Sequence, residues 1–329
     1  MNRIRMPRRD FLKSLAATAA VANATTAKTL FGGAPPSGLD AKGLPTAILG
    51  KTGATVPRIG IGLGTRFCAV ENEDGALEIL RAALDHGFYY WDTAHNYRNK
   101  SIISEERMGR ILENRRQEVF LATKFEARTY DGVMRELEGS LKRLRTDRLD
   151  LYQAHLLESL EDLDRLAAPG GAFEALRKIR DQKMTRFIGF TGHLDAGAMA
   201  EAARRYGFDT MLIALNHYSE RKGDFEGGAI PAAAARGMGI MLIKAIRPRE
   251  TGKDVSAEDL LRYALSLPHA HAAVVGTDSV EVVRKNADLL KKYQPLAPEE
   301  MKRLTVKLEP FFAGNRLPWM EKGYRDGEA

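Results

Sequence analysis

Asp92 closes an apolar, aromatic run, Phe88-Tyr89-Tyr90-Trp91, and Tyr97 follows five residues later in polar surroundings. A carboxylate where a buried strand meets a loop is costly unless something cationic satisfies it. Lys124 stands after Val119-Phe120-Leu121-Ala122-Thr123, and His155 after Leu149-Asp150-Leu151-Tyr152-Gln153-Ala154. Four ionisable groups thus fall at or just beyond three successive strand ends, a pattern suited to proton transfer. A lone tyrosine is a poor acid near neutrality, with a reference pKa near ~10. A lysine ammonium beside it favours the phenolate. An aspartate keeps that lysine charged in a partly buried place. A histidine can then orient or polarise a substrate carbonyl. Together the four form a general-acid site that lacks only a nucleophile, and a nicotinamide hydride would supply it.

Such groups converge only if their strand ends are held together. From about residue 44 the chain alternates strand and helix. Apolar runs read as strands over 58–62, 89–92, 119–124, 149–155, 186–191, 210–215, 239–245 and 272–276. Helical periodicity falls between them, over 74–86, 104–113, 130–144, 172–182, 196–206, 229–236, 257–266 and 280–293. In the first helix the apolar positions are 76, 79, 80, 83 and 84, and Ser104 is the expected cap of the second. Eight strands and eight helices predict an α/β fold, a (β/α)8 TIM barrel. Residues 48–53 and 55–58 read as a small N-terminal β-hairpin before it, and 298–329 as a C-terminal helix and tail. The rival is a doubly wound sheet, which would carry a glycine-rich dinucleotide loop after its first strand. Gly60-Ile61-Gly62-Leu63-Gly64 has the wrong spacing, and no helix opens there. In a barrel, catalytic side chains gather at the C-terminal strand ends. Residues 65–73, 98–103, 156–170 and 219–228 read as connecting loops that would set specificity. Trp319 and Phe311-Phe312 are candidates for a pocket wall, with a packed tail as the simpler reading.

Several blocks carry a resemblance: Leu49-Gly50-Lys51-Thr52-Gly53, Asp92-Thr93-Ala94-His95-Asn96-Tyr97, Ser104-Glu105-Glu106-Arg107-Met108-Gly109-Arg110-Ile111-Leu112, Ala122-Thr123-Lys124, and the long run from Ser140 to His155. Over about residues 44–290 the chain resembles the aldo-keto reductases. The resemblance implies a catalytic tetrad of Asp92, Tyr97, Lys124 and His155, with Tyr97 as proton donor in reduction and acceptor in oxidation. It also implies a nicotinamide cofactor, with NADPH as the default and NADH open, and a small carbonyl substrate.

Further contacts follow from the same resemblance. Where the family often has Ser-Asn for the nicotinamide amide, this chain has Thr191-Gly192-His193, so Thr191 and His193 would take that part. Asn216 lies near the family's usual glutamine, one position off, and Lys244 would meet the pyrophosphate. Gly276, Thr277 and Ser279 resemble the adenosine-phosphate loop, and Asn286 the adenine contact. Small hydroxyls and backbone amides at a helix N-terminus suit a phosphate. Val282 stands where many members place an arginine for the 2′-phosphate, and Lys285 where an acidic adenine contact is common. His95, His217, His269 and His271 receive no role, and no His/Glu spacing predicts a metal.

The chain has 329 residues, 44% hydrophobic and 28% charged, enough for one large domain. Its net charge of +7 invites a nucleic-acid reading. However, Arg3, Arg5, Arg8, Arg9 and Lys13 against Asp10 put +4 of this in residues 1–24. The remainder has no basic run interleaved with aromatics, so no nucleic-acid partner is expected. Cys68 is the only cysteine, which excludes an intramolecular disulfide and any Cys-x-x-Cys site.

Pro7-Arg8-Arg9-Asp10-Phe11-Leu12-Lys13 resembles a bacterial twin-arginine export signal. A modest apolar stretch follows, and then Ala22-Asn23-Ala24, a cleavage candidate. That stretch is too short for a stable membrane span. The expected organisation is a signal peptide over 1–24, a linker over 25–43 and the barrel over 44–329. The expected location is periplasmic or exported, with the twin-arginine machinery as a partner. Two other readings stay open: a nucleotide-sensing or scaffold protein of negligible turnover on the same barrel, and a Schiff-base lyase using Lys124.

Overall fold

A computed structural model describes residues 38–215, 225–246 and 256–312. The predicted leader, most of the linker, Asn216, Trp319 and the side chains of Phe311 and Phe312 lie outside the described residues.

An antiparallel hairpin comes first, β1 (Thr46–Ile48) with β2 (Thr55–Pro57). Its first strand ends where the sequence suggested it would begin. Residues 50–52 form a short 3-10 turn instead, closed by the Thr52 hydroxyl on the Leu49 carbonyl and by Gly53 at φ 65°. The barrel opens with β3 (Ile59–Gly62) and β4 (Tyr90–Asp92). A small antiparallel ribbon, β5 (Arg98–Asn99) and β6 (Ile102–Ile103), stands after β4, within residues expected to be loop. The barrel continues with β7 (Phe120–Phe125), β8 (Leu149–Ala154), β9 (Thr185–Gly192), β10 (Thr210–Ala214), β11 (Gly239–Ile243) and β12 (Ala272–Gly276). These eight strands are parallel and close in the order β10-β11-β12-β3-β4-β7-β8-β9. The (β/α)8 barrel expected from the alternation is the fold.

Short polar side chains start the surrounding helices. Asn72, Thr129, Ser159, Asp195, Ser256 and Ser279 each accept a backbone N–H three residues on, satisfying a donor that the first turn leaves unpaired. In the helix Glu73–Asp85 the predicted stripe, Ala76, Ile79, Leu80, Ala83 and Leu84, is buried. Ser104 departs from its expected role. It is the first residue of the helix Ser104–Arg115, whose cap position is Ile103. Its hydroxyl instead donates to the Leu63 carbonyl at 2.7 Å and accepts from Thr93 at 2.9 Å. A tertiary tie between strand exits has displaced the local cap. The region 156–170 is likewise not all loop, because Ser159 caps a helix over Leu160–Ala167 that buries Leu163 and Leu166.

Strand register sets the heights of the site residues. Asp92 pairs with Ala122, and Lys124 pairs with Gln153. Residues two apart on a strand face the same way. Lys124 therefore stands one step higher than Asp92, and His155 one step above Gln153. Each step round the barrel climbs toward the C-terminal mouth.

Candidate active site

Lys124 and Asp92 form a buried ion pair, with exposures of 1% and 3%. The Lys124 ammonium donates to Asp92 Oδ1, to the Thr93 carbonyl at 2.7 Å and to the Tyr97 hydroxyl at 3.3 Å. An ammonium has three N–H groups, so these partners engage all of them. That arrangement occupies the nitrogen on three sides and argues against a nucleophilic Schiff-base amine. Burial pushes the Asp92 carboxyl above its ordinary range, while the Lys124 charge and a hydrogen bond from Gln153 Nε2 at 3.3 Å pull it back. Gln153 was not among the residues expected here. Its position two before His155 on a fully buried strand is the signal that would have found it.

Tyr97 is buried, and its ring meets the His155 ring edge-on at 5.8 Å between centroids. His155 follows β8, with its backbone N–H on the Phe125 carbonyl at 2.9 Å. The structure thus brings Asp92, Tyr97, Lys124 and His155 together at the exits of three adjacent strands. An ammonium beside the phenol oxygen stabilises the charge that develops there as the proton leaves.

Thr191, His193, Lys244, Gly276, Thr277 and Ser279 lie at or just beyond the ends of β9, β11 and β12, on the same mouth. Their side chains differ in what they are doing. Thr191 Oγ1 accepts the Leu156 N–H at 3.1 Å, and its carbonyl accepts the Leu157 N–H at 2.8 Å, which ties β9 to the loop after His155. His193 is buried. Gly192 before it has no room for a side chain, since a β-carbon would lie 2.5 Å from Met199 Sδ and 3.0 Å from the Leu157 carbonyl. A larger side chain at that position would have to displace the Met199 thioether and crowd the Leu157 carbonyl. Thr277 is fully buried with its hydroxyl on the Val275 carbonyl at 3.2 Å. Ser279 Oγ caps the helix Val280–Lys292. Asn286, on that helix, is 8% exposed, and its Nδ2 has no hydrogen-bond partner among the described residues. A buried amide donor left unpaired is costly, so a ligand atom that accepts from it fits this place. Beside Asp278, Arg66 reaches across from the β3 exit and pairs with its carboxylate.

Among the described residues, no group of three or more His, Cys, Asp or Glu is arranged to hold a metal ion. No described helix is long and apolar enough to cross a membrane.

Known proteins share this arrangement of strands. An aldo-keto reductase from Bacillus halodurans in its holo form superposes with a TM-score of 0.67 at 21% identity, covering 80% of this chain and 96% of its own. One from Klebsiella pneumoniae, solved in complex with NADPH, superposes at 0.65 and 23% identity, covering 83% and 97%. In sequence, the chain is 32% identical over 215 residues to the uncharacterized oxidoreductase YrpG of Bacillus subtilis, covering 59% of this chain and 64% of that protein. It is 27% identical over 223 residues to a D-threo-aldose 1-dehydrogenase of a Pseudomonas species, covering 57% and 65%. The chain thus spans less than two thirds of these curated relatives. The sequence model of the Aldo/keto reductase family matches residues 58–248, from the first barrel strand to beyond the seventh. With more than half of its length inside that match, the chain belongs to the aldo/keto reductase family.

Proposed function

We propose that this protein is an NAD(P)H-dependent carbonyl reductase that converts aldehydes or ketones to alcohols. One observation carries the reading: the buried Lys124 ammonium lies against Asp92 on one side and the Tyr97 hydroxyl on the other. A bound nicotinamide would supply hydride to the carbonyl carbon. Tyr97 gives its phenolic proton to the carbonyl oxygen as that oxygen gains charge. Lys124 stabilises the phenolate left behind, and Asp92 holds Lys124 in place. His155 orients the carbonyl toward Tyr97. In the alcohol-oxidising direction the same phenolate takes the proton back. Toward the cofactor, Asn286 offers a buried donor, and the amides at the start of Val280–Lys292 suit a phosphate. His193 and Lys244 stand at the same mouth. NADPH is the first cofactor to test and NADH the second.

The test is a panel of aldehydes, ketones and aldoses with each cofactor, the aldoses being included because of the D-threo-aldose 1-dehydrogenase relative. Tyr97→Phe removes the proton and keeps the ring. It should lower kcat by about 10²-fold or more while cofactor binding, read by fluorescence titration, is retained. Undiminished turnover in that variant would rule out Tyr97 as donor.

The Arg8-Arg9 leader supports export through the twin-arginine route as part of this proposal. A protein exported folded would carry its cofactor with it. Mass spectrometry of the purified protein should then find bound NADP(H), and Arg8→Lys with Arg9→Lys should trap the protein in the cytoplasm. Unchanged export in the double variant would remove the assignment.

A further inference from the structure

Glu126 stands immediately after β7, two residues beyond Lys124. Its carboxylate is held between two imidazoles. Oε1 accepts from Asn96 Nδ2 at 2.7 Å and lies 3.7 Å from His155 Nδ1. Oε2 lies 3.8 Å from His95 Nε2. Glu136, on the next helix, flanks His95 at 3.5 Å and accepts the backbone N–H groups of Glu126 and Ala127 at 2.8 and 3.2 Å. Three elements therefore fix this acid: the loop after β4 through Asn96, the helix Tyr130–Leu144 through Glu136, and its own strand. The His95 imidazole beside it holds the Glu126 carboxyl below its usual range, with His155 adding to the effect.

We propose that Glu126 is a positioning residue for His155, facing Nδ1 so that Nε2 is the ring atom presented to a carbonyl. The proposal rests on the reductase reading above. To orient a carbonyl oxygen, Nε2 must donate a hydrogen. A neutral imidazole has only one N–H. A carboxylate beside Nδ1 draws that hydrogen to Nδ1 and leaves a lone pair on Nε2, which repels the carbonyl. Only the imidazolium serves both sides, donating toward Glu126 and toward substrate together. Glu126 thus biases His155 toward its doubly protonated form. His155 keeps its hydrogens throughout, and the proton transferred to substrate still comes from Tyr97.

The other charged and titratable groups around His155 act in both directions. From the β4 exit, the Asp92 carboxylate favours the cation, and Tyr97 contributes its ring edge. Lys124 on β7 opposes it. So does Arg128, whose guanidinium reaches the Leu156 carbonyl at 2.8 Å next to His155 while paired to Asp162. Among the described residues, Glu126 is a carboxylate within ion-pair distance of the ring.

The test is a proton NMR titration of the imidazoles in the cofactor-free full-length protein, wild type against Glu126→Gln, with His155→Gln to assign the resonance. The amide keeps the acceptor for Asn96 and loses only the charge. Glu126 is two-fifths exposed, so the variant should fold, with circular dichroism as the check. The His155 midpoint should fall by about one pH unit, a ~10-fold change in proton affinity. The alkaline limb of kcat/KM for carbonyl reduction should move to lower pH by the same amount. An unmoved midpoint overturns the proposal, and so does a moved midpoint with an unmoved pH profile. Absence of turnover by the wild type across the carbonyl panel overturns the reductase reading instead, because the titration needs no substrate.

Discussion

Asp92→Asn isolates the worth of the buried charge pair. The amide keeps the shape of the carboxylate and leaves Gln153 a partner, but it removes the charge opposite Lys124. The ammonium, 1% exposed, is left with the Thr93 carbonyl at 2.7 Å and the Tyr97 hydroxyl at 3.3 Å. Breaking a buried pair from one side costs about 3–5 kcal/mol. Titration sets a ceiling on that loss. Lys124 can shed its proton instead, and holding a lysine neutral at pH 7 costs ~4.6 kcal/mol, given a reference pKa near ~10.4 and ~1.36 kcal/mol per unit. The expected loss at pH 7 is therefore about 3 to 4.6 kcal/mol. The variant's folded state then binds fewer protons than its unfolded state as pH rises toward the lysine range. Its stability relative to wild type must increase with pH. At pH 9.5 the same ceiling is only ~1.2 kcal/mol. Urea denaturation of both proteins at pH 7 and 9.5 reads the two deficits. A deficit that persists undiminished at pH 9.5 would mean lost packing rather than an uncompensated cation, and the electrostatic account would be wrong.

Gly109→Ala should destabilise the fold by about 1–3 kcal/mol, although alanine is ordinarily better than glycine inside a helix by ~1 kcal/mol. A β-carbon there would lie 2.1 Å from the Arg143 carbonyl, a backbone atom that cannot turn aside. A neutral or raised melting temperature would contradict this packing. His271 should contribute to acid lability. Its Nδ1 accepts the Ile240 N–H at 3.0 Å, and burial pushes its pKa below the ordinary histidine value. The folded state resists a proton that the unfolded chain takes up, so this stability is full above about pH 6.5 and is lost as the pH falls. In His271→Gln the decline just below pH 6.5, followed by urea denaturation, should be shallower. An unchanged slope would acquit this residue.

The barrel was legible because its strands are short apolar runs separated by amphipathic helices. Residues 272–276 were read to the residue, as were the helices over 130–144 and 257–266. The departures have physical causes. The helix Leu160–Ala167 has its cap and its Leu163/Leu166 stripe in the sequence, but it is only two turns long and crowded with charge. Ser104 reads as a cap locally, and only the folded chain brings Leu63 and Thr93 to its hydroxyl. The family-like blocks were specific partly because they carry packing. Glu105 is fully buried between Thr123 and Arg143, and Asp150 between Arg116 and Arg186. Spacing pointed to Lys124 and Asp92 as partners, since both end apolar strands. Nothing in the spacing pointed to Glu126, whose neighbours come from the loops after β4 and β8 and from the helix Tyr130–Leu144.

The loop after His155 begins with Leu156 in the left-handed region, at φ 56°. It is pinned there by Thr191 through the Leu156 and Leu157 N–H groups and by Arg128 on the Leu156 carbonyl. A non-glycine residue keeps such a conformation only where its surroundings over-determine it. The anchor insulates what lies on either side. Arg128 also pairs with Asp162 on the helix Leu160–Ala167, so the connection beyond residue 157 can change without tugging on the imidazole only where that helix is spared. On the reductase reading proposed above, the residues of this segment outside that helix are where inserts would alter substrate range while Tyr97, Lys124 and His155 stay in place.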